Sequence, residues 1–132
     1  MGIEIEILEQ FYAAINRYDI QAVTELFDPG VIRNEPDDFP SAGTYRGIPE
    51  VQDHIKEGRG SWAEGSCDPE EFFVKEDMVV VYVHAWVRLH GATDWSGGRF
   101  ADVFAIRDGK ITEWHTFEAR EDALKWAGIE SK

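Results

Sequence analysis

The segment at residues 97–117, GGRFADVFAIRDGKITEWHTF, constrains the fold of this chain more than any other. Two runs of apolar and β-branched residues flank an Asp-Gly pair, which is a strong signal of a β-hairpin. Because successive side chains of a strand point to opposite faces, Phe100, Asp102 and Phe104 share one face of the first strand. The hairpin therefore places one carboxyl group in a row of large apolar side chains.

Asp102 is the most informative of these residues, because a carboxyl group among phenylalanines is costly to ionise and its pKa should rise. Such a group either donates a proton at neutral pH or carries a charge that a basic group balances. Arg88 and Arg99 are candidate partners for a charged Asp102, and a backbone donor or water is a further alternative. The pattern alone leaves these interpretations open.

The other periodicities predict three helices before most of the strands and one helix after them. Apolar spacing, caps and breakers place the helices at residues 3–18, 20–27, 49–57 and 120–127. Alternating patterns place further strands at residues 31–35, 70–75 and 78–90. This order predicts an α+β fold in which a curved, mostly antiparallel sheet wraps around the helices and leaves a cavity open at one end.

Two parts of this fold have more than one interpretation. Residues 36–46 are rich in turn residues and form either a lid over the cavity or a plain surface connection. The strand at residues 78–90 has one aliphatic face and one face of mixed polar and aromatic residues, which includes Trp86. The mixed face is either a pocket wall or a dimer interface.

Composition and charge narrow the class of protein. A chain of 132 residues, 43% of them hydrophobic, suits one domain over residues 1–132 with a substantial core. The net charge of −13 should repel nucleic acids and anionic membranes. With Cys67 as the single cysteine, no internal disulfide can form.

The sequence shows no pattern of a secretion signal, a membrane span or a metal site. The acidic N-terminus lacks the basic and apolar regions of a signal peptide, and no apolar run reaches about 18 residues. His84, His90 and His115 lack the spacing of metal ligands. We therefore expect a soluble, cytoplasmic protein that needs no cofactor.

The helix QFYAAINRYDIQAVTELF, the segments VIRNEP and YRGIPEVQDHI, and the hairpin GRFADVFAIRDGKITEW together resemble the SnoaL-like branch of the NTF2-like superfamily. That superfamily includes ketosteroid isomerases, SnoaL-type polyketide cyclases and limonene epoxide hydrolases. The resemblance implies a cone-shaped α+β barrel, commonly a homodimer, with an apolar small molecule in the barrel cavity. It says less about activity, because this fold hosts many chemistries.

The resemblance to ketosteroid isomerase implies roles for three residues. Tyr12 occupies the place of the oxyanion-hole tyrosine on the first helix, and Glu35 stands before a proline where that enzyme has its catalytic Asp. Asp102 resembles the Asp that an apolar site keeps protonated on the penultimate strand. Glu35 would then remove a proton next to a carbonyl, while Tyr12 and Asp102 would stabilise the enolate oxygen.

The other relatives imply further site residues. A polyketide cyclase places an acid or base near the end of the last strand, where His115 and Glu118 lie, although His115 is alternatively a structural histidine of the barrel. The epoxide hydrolase needs Arg-x-Asp where this chain has Arg-Leu-His at residues 88–90, which makes that activity the weaker match. The expected substrate-binding residues are Phe100, Phe104, Trp86, His115 and Glu118.

Two classes of function follow from these residues. The first is a cofactor-free isomerase or cyclase that acts on an apolar carbonyl compound, and the second is a non-catalytic binding or interaction protein. The first class requires the side chains of Tyr12 and Asp102 to converge on one point, with Glu35 across a gap wide enough for a substrate. The second class requires only the cavity or the sheet face.

Overall fold

The computed structural model describes residues 2–37, 39 and 42–129. Its elements are α1 (Ile3–Asn16), α2 (Ile20–Thr24), β1 (Phe27–Glu35), β2 (Gly43–Arg46), α3 (Gly47–Gly60), β3 (Trp62–Lys75), β4 (Met78–Leu89), β5 (Ser96–Arg107), β6 (Lys110–Phe117) and α4 (Arg120–Ala127). The strands form one curved, unclosed sheet in the order β2-β1-β6-β5-β4-β3. Neighbours are antiparallel except for β1 and β6, which are parallel. The predicted α+β fold is confirmed.

Helix α1 packs on one face of the sheet through a single apolar stripe. Phe11, Tyr12 and Ile15 recur at helical spacing, and all three are buried. The ring of Phe11 meets Phe104 and Trp114 edge-on, with centroids 5.3 and 5.0 Å away. Because these contacts anchor the helix to β5 and β6, Tyr12 is held against the centre of the sheet.

Helix α4 covers the opposite face of the sheet. Its Ala123 and Leu124 pack against a small apolar cluster that includes Val80, Ala101 and Val103. Strand β5 is therefore buried on both faces along its second half. The predicted bounds of this helix, 120–127, are confirmed.

Several elements differ from their predicted bounds because long-range pairing overrides the local pattern. The second helix ends at Thr24 instead of residue 27, since Phe27 pairs with Ile111 of β6 and begins β1. Strand β3 begins at Trp62 instead of residue 70, since β4 pairs with it along nearly its whole length. Helix α3 is longer than predicted at both ends.

The predicted loop at residues 36–46 contains a strand. Its last four residues form β2, which pairs with β1 so that Tyr45 stands opposite Arg33. The ring of Phe39 contacts Phe100 edge-on at 6.2 Å. Asp38 and Pro40, which belong to the proposed lid, lie outside the described residues.

The two faces of β4 have different surroundings. The aliphatic face packs into the main core and then lines a cavity, through Val79, Val81, Val83, Ala85 and Val87. The mixed face points away from this core: Val80 packs under α4, and Trp86 is 48% exposed. The mixed face is therefore not the wall of this cavity.

Among the described helices, none is long and apolar enough to cross a membrane.

Gly97 permits a close approach of β5 to β4. Its φ is +141°, and a Cβ there would lie 2.1 Å from the backbone oxygen of Ala85. Gly98 is a matched control, because nothing lies within 4 Å of a Cβ at that position. We expect Gly97→Ala to lower the free energy of unfolding by about 2–3 kcal/mol, and Gly98→Ala by less than about 1 kcal/mol. Urea denaturation followed by tryptophan fluorescence measures both, and equal losses would contradict this account.

Candidate functional site

A cavity of about 490 Å³ lies between α1, α3 and the sheet. Binding pockets for small organic ligands have volumes of about 300–1,000 Å³, so this one has room for a compound of one or a few rings. Its buried wall is mainly aromatic and aliphatic, with a few polar groups. Exposed residues border its opening, among them Gly58, Gly97, Arg99 and Glu118.

Tyr12 and Asp102 meet in the buried wall of this cavity. The hydroxyl of Tyr12 lies 2.6 Å from Oδ2 of Asp102, and the hydroxyl of Thr116 donates to Oδ1 at 2.5 Å. Thr116 stands directly opposite Asp102 across the β5–β6 hairpin, while the apolar stripe of α1 delivers Tyr12. Each of the three residues is at most 3% exposed, so water does not compete for these bonds.

Burial raises the pKa of Asp102 above its ordinary value. The positive charge of Arg33 and the hydrogen bonds from Thr116 and Tyr12 oppose this rise in pKa. The indole N–H of Trp114 also opposes the rise in the pKa of Asp102. Its Nε1 is buried and makes no hydrogen bond of ordinary geometry with the described residues. Burial and the neighbouring Asp102 together raise the pKa of Tyr12, so its hydroxyl keeps its proton.

Arg33 extends this network along the cavity wall. It is 4% exposed and donates from Nη1 to the Thr116 hydroxyl at 2.7 Å and from Nη2 to Glu35 Oε2 at 3.0 Å. Its guanidinium carbon lies 3.7 Å from the centroid of the Trp114 ring. Oε1 of Glu35 is 3.4 Å from Nε2 of His54, which continues the chain of polar groups onto α3. Burial lowers the pKa of Arg33, and the carboxyl groups beside it oppose that change.

The structure brings five of the predicted site residues to the cavity. Tyr12, Glu35 and Asp102 line it together with Phe100 and Glu118. The hydroxyl of Tyr12 and the carboxyl of Asp102 converge on one point of its wall. Glu35 is connected to them through Arg33 and Thr116, as part of one continuous polar network.

The other three predicted site residues lie elsewhere. Phe104 packs behind Tyr12 in the core, with ring centroids 6.1 Å apart. Trp86 and His115 lie on the outer face of the sheet, because alternation along β4 and β6 turns them away from the cavity. Nε2 of His115 lies 2.9 Å from a Glu113 oxygen, and the ring of His115 contacts Trp126. These contacts agree with the alternative in which His115 is a structural histidine.

Five polar residues of the cavity were missing from the predicted site: Arg33, His54, Arg59, Arg99 and Thr116. The alternation of β1 already placed Arg33 on the face of Glu35, and hairpin register would have paired Thr116 with Asp102. His54 is held by stacking on Tyr45, with centroids 4.0 Å apart, and that contact left no local pattern.

The basic partners considered for Asp102 are occupied elsewhere. Arg88 forms an ion pair with Glu64, and Arg99 forms one with Glu70.

Cys67 also lines the cavity, but burial raises the pKa of its thiol and so disfavours the thiolate that a nucleophile needs. Within the described part of the chain, no three His, Cys, Asp or Glu residues are grouped so as to hold a metal ion.

Comparison with solved structures finds the same fold in proteins of low sequence identity. An NTF2-like protein of unknown function from Burkholderia pseudomallei is 21% identical, with a TM-score of 0.80 over 96% of this chain and 98% of that chain. TerC, co-crystallised with polyporic acid, is 22% identical, with a TM-score of 0.78 over 96% and 98% of the two chains. A candidate polyketide cyclase from Sinorhizobium meliloti is 18% identical, with a TM-score of 0.71 over 88% and 99%.

Sequence comparison gives the family. No curated protein matches this chain significantly. Residues 8–114, however, match the family model described as the SnoaL-like domain. Since that match extends over most of the 132 residues, the chain belongs to the SnoaL-like family, and it has the fold of the NTF2-like proteins.

Proposed function

We propose that this protein binds a small, largely apolar carbonyl compound in its cavity and transfers a proton next to the carbonyl, as a cofactor-free isomerase or cyclase. The observation that carries this proposal is the buried pair of Tyr12 and Asp102, whose oxygens lie 2.6 Å apart in the wall of a cavity that Glu35 also lines. The crystallisation of TerC with polyporic acid supports a small-molecule ligand for this fold.

In this proposal Tyr12 is the group that binds the ligand carbonyl. Thr116 accepts a hydrogen bond from Arg33, so its own proton goes to Oδ1 of Asp102. The proton of a neutral Asp102 then resides on Oδ2 and is donated to the Tyr12 oxygen. This arrangement frees the Tyr12 proton for the ligand, and the two bonds in series strengthen each other in a buried site.

Glu35 is the proposed base. Its carboxylate takes a proton from the carbon next to the carbonyl, and the electron pair of that C–H bond moves into the enolate, whose oxygen accepts the bond from Tyr12. Return of the proton to another carbon completes an isomerisation. In a cyclisation the enolate carbon attacks a second carbonyl carbon of the same molecule, the π electrons of that carbonyl move to its oxygen, and the protonated Glu35 returns its proton to this oxygen. Arg33, 3.0 Å away, fixes the position of the Glu35 carboxylate.

A second candidate is a protein that binds the same class of ligand without chemistry. The ion pair between Arg33 and Glu35 favours it, because Oε2 of the proposed base already accepts a hydrogen bond from a buried guanidinium. In that case the polar network orients the ligand, and the aromatic wall supplies the binding energy.

We further propose that residues 1–132 form one SnoaL-like domain that assembles as a homodimer through the outer face of the sheet. On this face Trp86 and Trp126 are 48% and 50% exposed, although large aromatic side chains are usually covered. The proposed location is the cytoplasm, and the free thiol of Cys67 suits a reducing compartment.

The first prediction of this proposal concerns the protonation of Asp102. We expect its carboxyl to titrate above the ordinary value of about 3.9. When Asp102 is ionised, Tyr12 donates to it, and this charge-assisted bond is stronger than the bond that the neutral acid donates to Tyr12. Tyr12 therefore lowers the pKa of Asp102, so Tyr12→Phe should raise that pKa further, whereas Tyr82→Phe on the outer face should leave it unchanged. Carbon-13 NMR of the carboxyl group measures all three proteins. A fall of the Asp102 pKa in Tyr12→Phe would refute the network.

The second prediction concerns catalysis. In deuterated water the protein should accelerate deuterium uptake next to the carbonyl of enolisable cyclic and aryl ketones, which proton NMR follows. Glu35→Gln should reduce this rate by about 10²- to 10⁴-fold, and Tyr12→Phe by about 10²- to 10³-fold. Glu113→Gln, on the outer face beside His115, is the matched control and should keep the wild-type rate. Exchange that survives Glu35→Gln would exclude this base.

The third prediction concerns assembly. In sedimentation equilibrium the protein should show twice its chain mass of 15.1 kDa. Trp86→Arg should yield monomers, since burying an unpaired charge in the proposed interface is costly. Ile3→Arg, at a residue of α1 that is 61% exposed, is the control and should remain dimeric. A monomeric wild type would rule out this interface.

A further inference from the structure

We infer that the cavity takes ligands that carry a carboxylate or a similar anionic group, and that Arg59 binds this group while the ligand carbonyl lies at Tyr12. This inference adds a substrate class, the anionic cyclic carbonyl compounds, to the proposed function and rests on it for the position of the carbonyl. It depends on how Arg59 is held, on its lack of an acidic partner among the described residues, and on its place in the same cavity as Tyr12.

Arg59 has a fixed position on the cavity wall. From α3 it reaches the end of α1, where Nε donates to the Ile15 carbonyl at 2.7 Å and Nη2 donates to the Asn16 carbonyl at 2.9 Å. Its guanidinium carbon lies 4.7 Å from the centroid of the Tyr18 ring and 4.5 Å from that of Trp62. A guanidinium that is already held in one place loses little entropy when it binds a ligand.

Arg59 also lacks a carboxylate partner within the described residues, unlike the other arginines of the cavity. Arg33 binds Glu35 and Arg99 binds Glu70, but no ion pair involves Arg59. A guanidinium has five N–H donors, and the two carbonyls of α1 use two of them. Nη1 donates to no described residue and is not among the buried atoms. It is therefore available to an anion.

The cavity differs in charge from the rest of the protein. The chain carries a net charge of −13, yet the described lining residues include as many arginines (Arg33, Arg59, Arg99) as carboxyl groups (Glu35, Asp102, Glu118). Burial favours the neutral form of one of these carboxyls, Asp102. Repulsion by distant surface charges is screened over about 8–10 Å at physiological salt, so an anion at Arg59 responds mainly to its immediate surroundings.

Arg59 and Tyr12 face the same cavity, so one ligand can reach both residues. Arg59 binds the carbonyl of Ile15, which is three residues beyond Tyr12 on the cavity face of α1. Tyr12 and Arg59 both line the cavity of about 490 Å³, which has room for a compound of one ring that carries the carbonyl and the anionic group as separate substituents.

A matched pair of probes tests this inference: 4-acetylbenzoate, and 4-acetylbenzamide, which has the same shape without the charge. Isothermal titration calorimetry should give the benzoate about tenfold tighter binding to the wild type, as one charge-assisted hydrogen bond provides. Added salt should reduce this preference. Arg59→Gln should abolish it, whereas Arg107→Gln, which removes the same charge next to the distant β5–β6 turn, should preserve it.

Two controls show whether a loss of the preference in Arg59→Gln comes from the anion site or from misfolding. Arg59 supports the end of α1, so circular dichroism and retained binding of the benzamide must show that Arg59→Gln is folded. If it is not folded, Arg59→Lys takes its place. A lysine ammonium lacks the planar fork that binds the two α1 carbonyls and the ligand together, so its preference for the benzoate should be smaller than that of the wild type. Equal affinities of the wild type for the two probes, or no binding of the benzoate, would overturn the inference.

Deuterium uptake by the acetyl group separates this inference from the proposed function. A preference for the benzoate without uptake supports the anion site and removes the catalytic proposal. Uptake by both probes without a preference supports catalysis and removes the anion site.

Discussion

The geometry of the cavity depends on one buried carboxyl group, Asp102, and on the two hydroxyls that bind it. Tyr12 brings α1 to this point and Thr116 brings β6, so the helix layer and the sheet meet there through polar contacts inside an apolar core. A raised pKa means that the folded state binds this proton more tightly than the unfolded chain. The contribution of Asp102 to stability is therefore complete below its unfolded-state pKa and is lost as pH rises through the folded-state value.

The sequence predicted the parts of the site that depend on short-range periodicity. The hairpin pattern placed Asp102 in one row with Phe100 and Phe104, and the helical stripe placed Tyr12 on the apolar face of α1. What it did not predict depends on contacts between distant segments. Arg33 reaches Thr116 because β1 runs parallel to β6, across 83 positions of the chain, and no local pattern encodes that pairing. Trp86 shows the same limit. Alternation separates the two faces of β4, but it does not say that the face with Val80 and Trp86 is the one on which α4 packs, away from the cavity.

The polar network combines two requirements that usually conflict. A site for proton transfer needs ionisable groups, and a stable core needs those groups bound and dry. Here Arg33 connects the two halves of the network, since it donates to Thr116 on one side and to Glu35 on the other and lies over the Trp114 ring. The same contacts that satisfy these groups also fix their positions, so the core and the wall of the cavity are one structure.

The C-terminal helix α4 affects the orientation of Asp102 although it lies on the other side of the sheet from the cavity. Ala101 and Val103, the neighbours of Asp102 in the chain, pack beneath Ala123 and Leu124 of α4 on the other side of the sheet. A sideways shift of β5 by one residue would bring Asp102 to that outer face and an apolar residue to the cavity. The packing of helix α4 on Ala101 and Val103 thus fixes the register of β5. The residues that keep Asp102 facing the cavity do not themselves line the cavity.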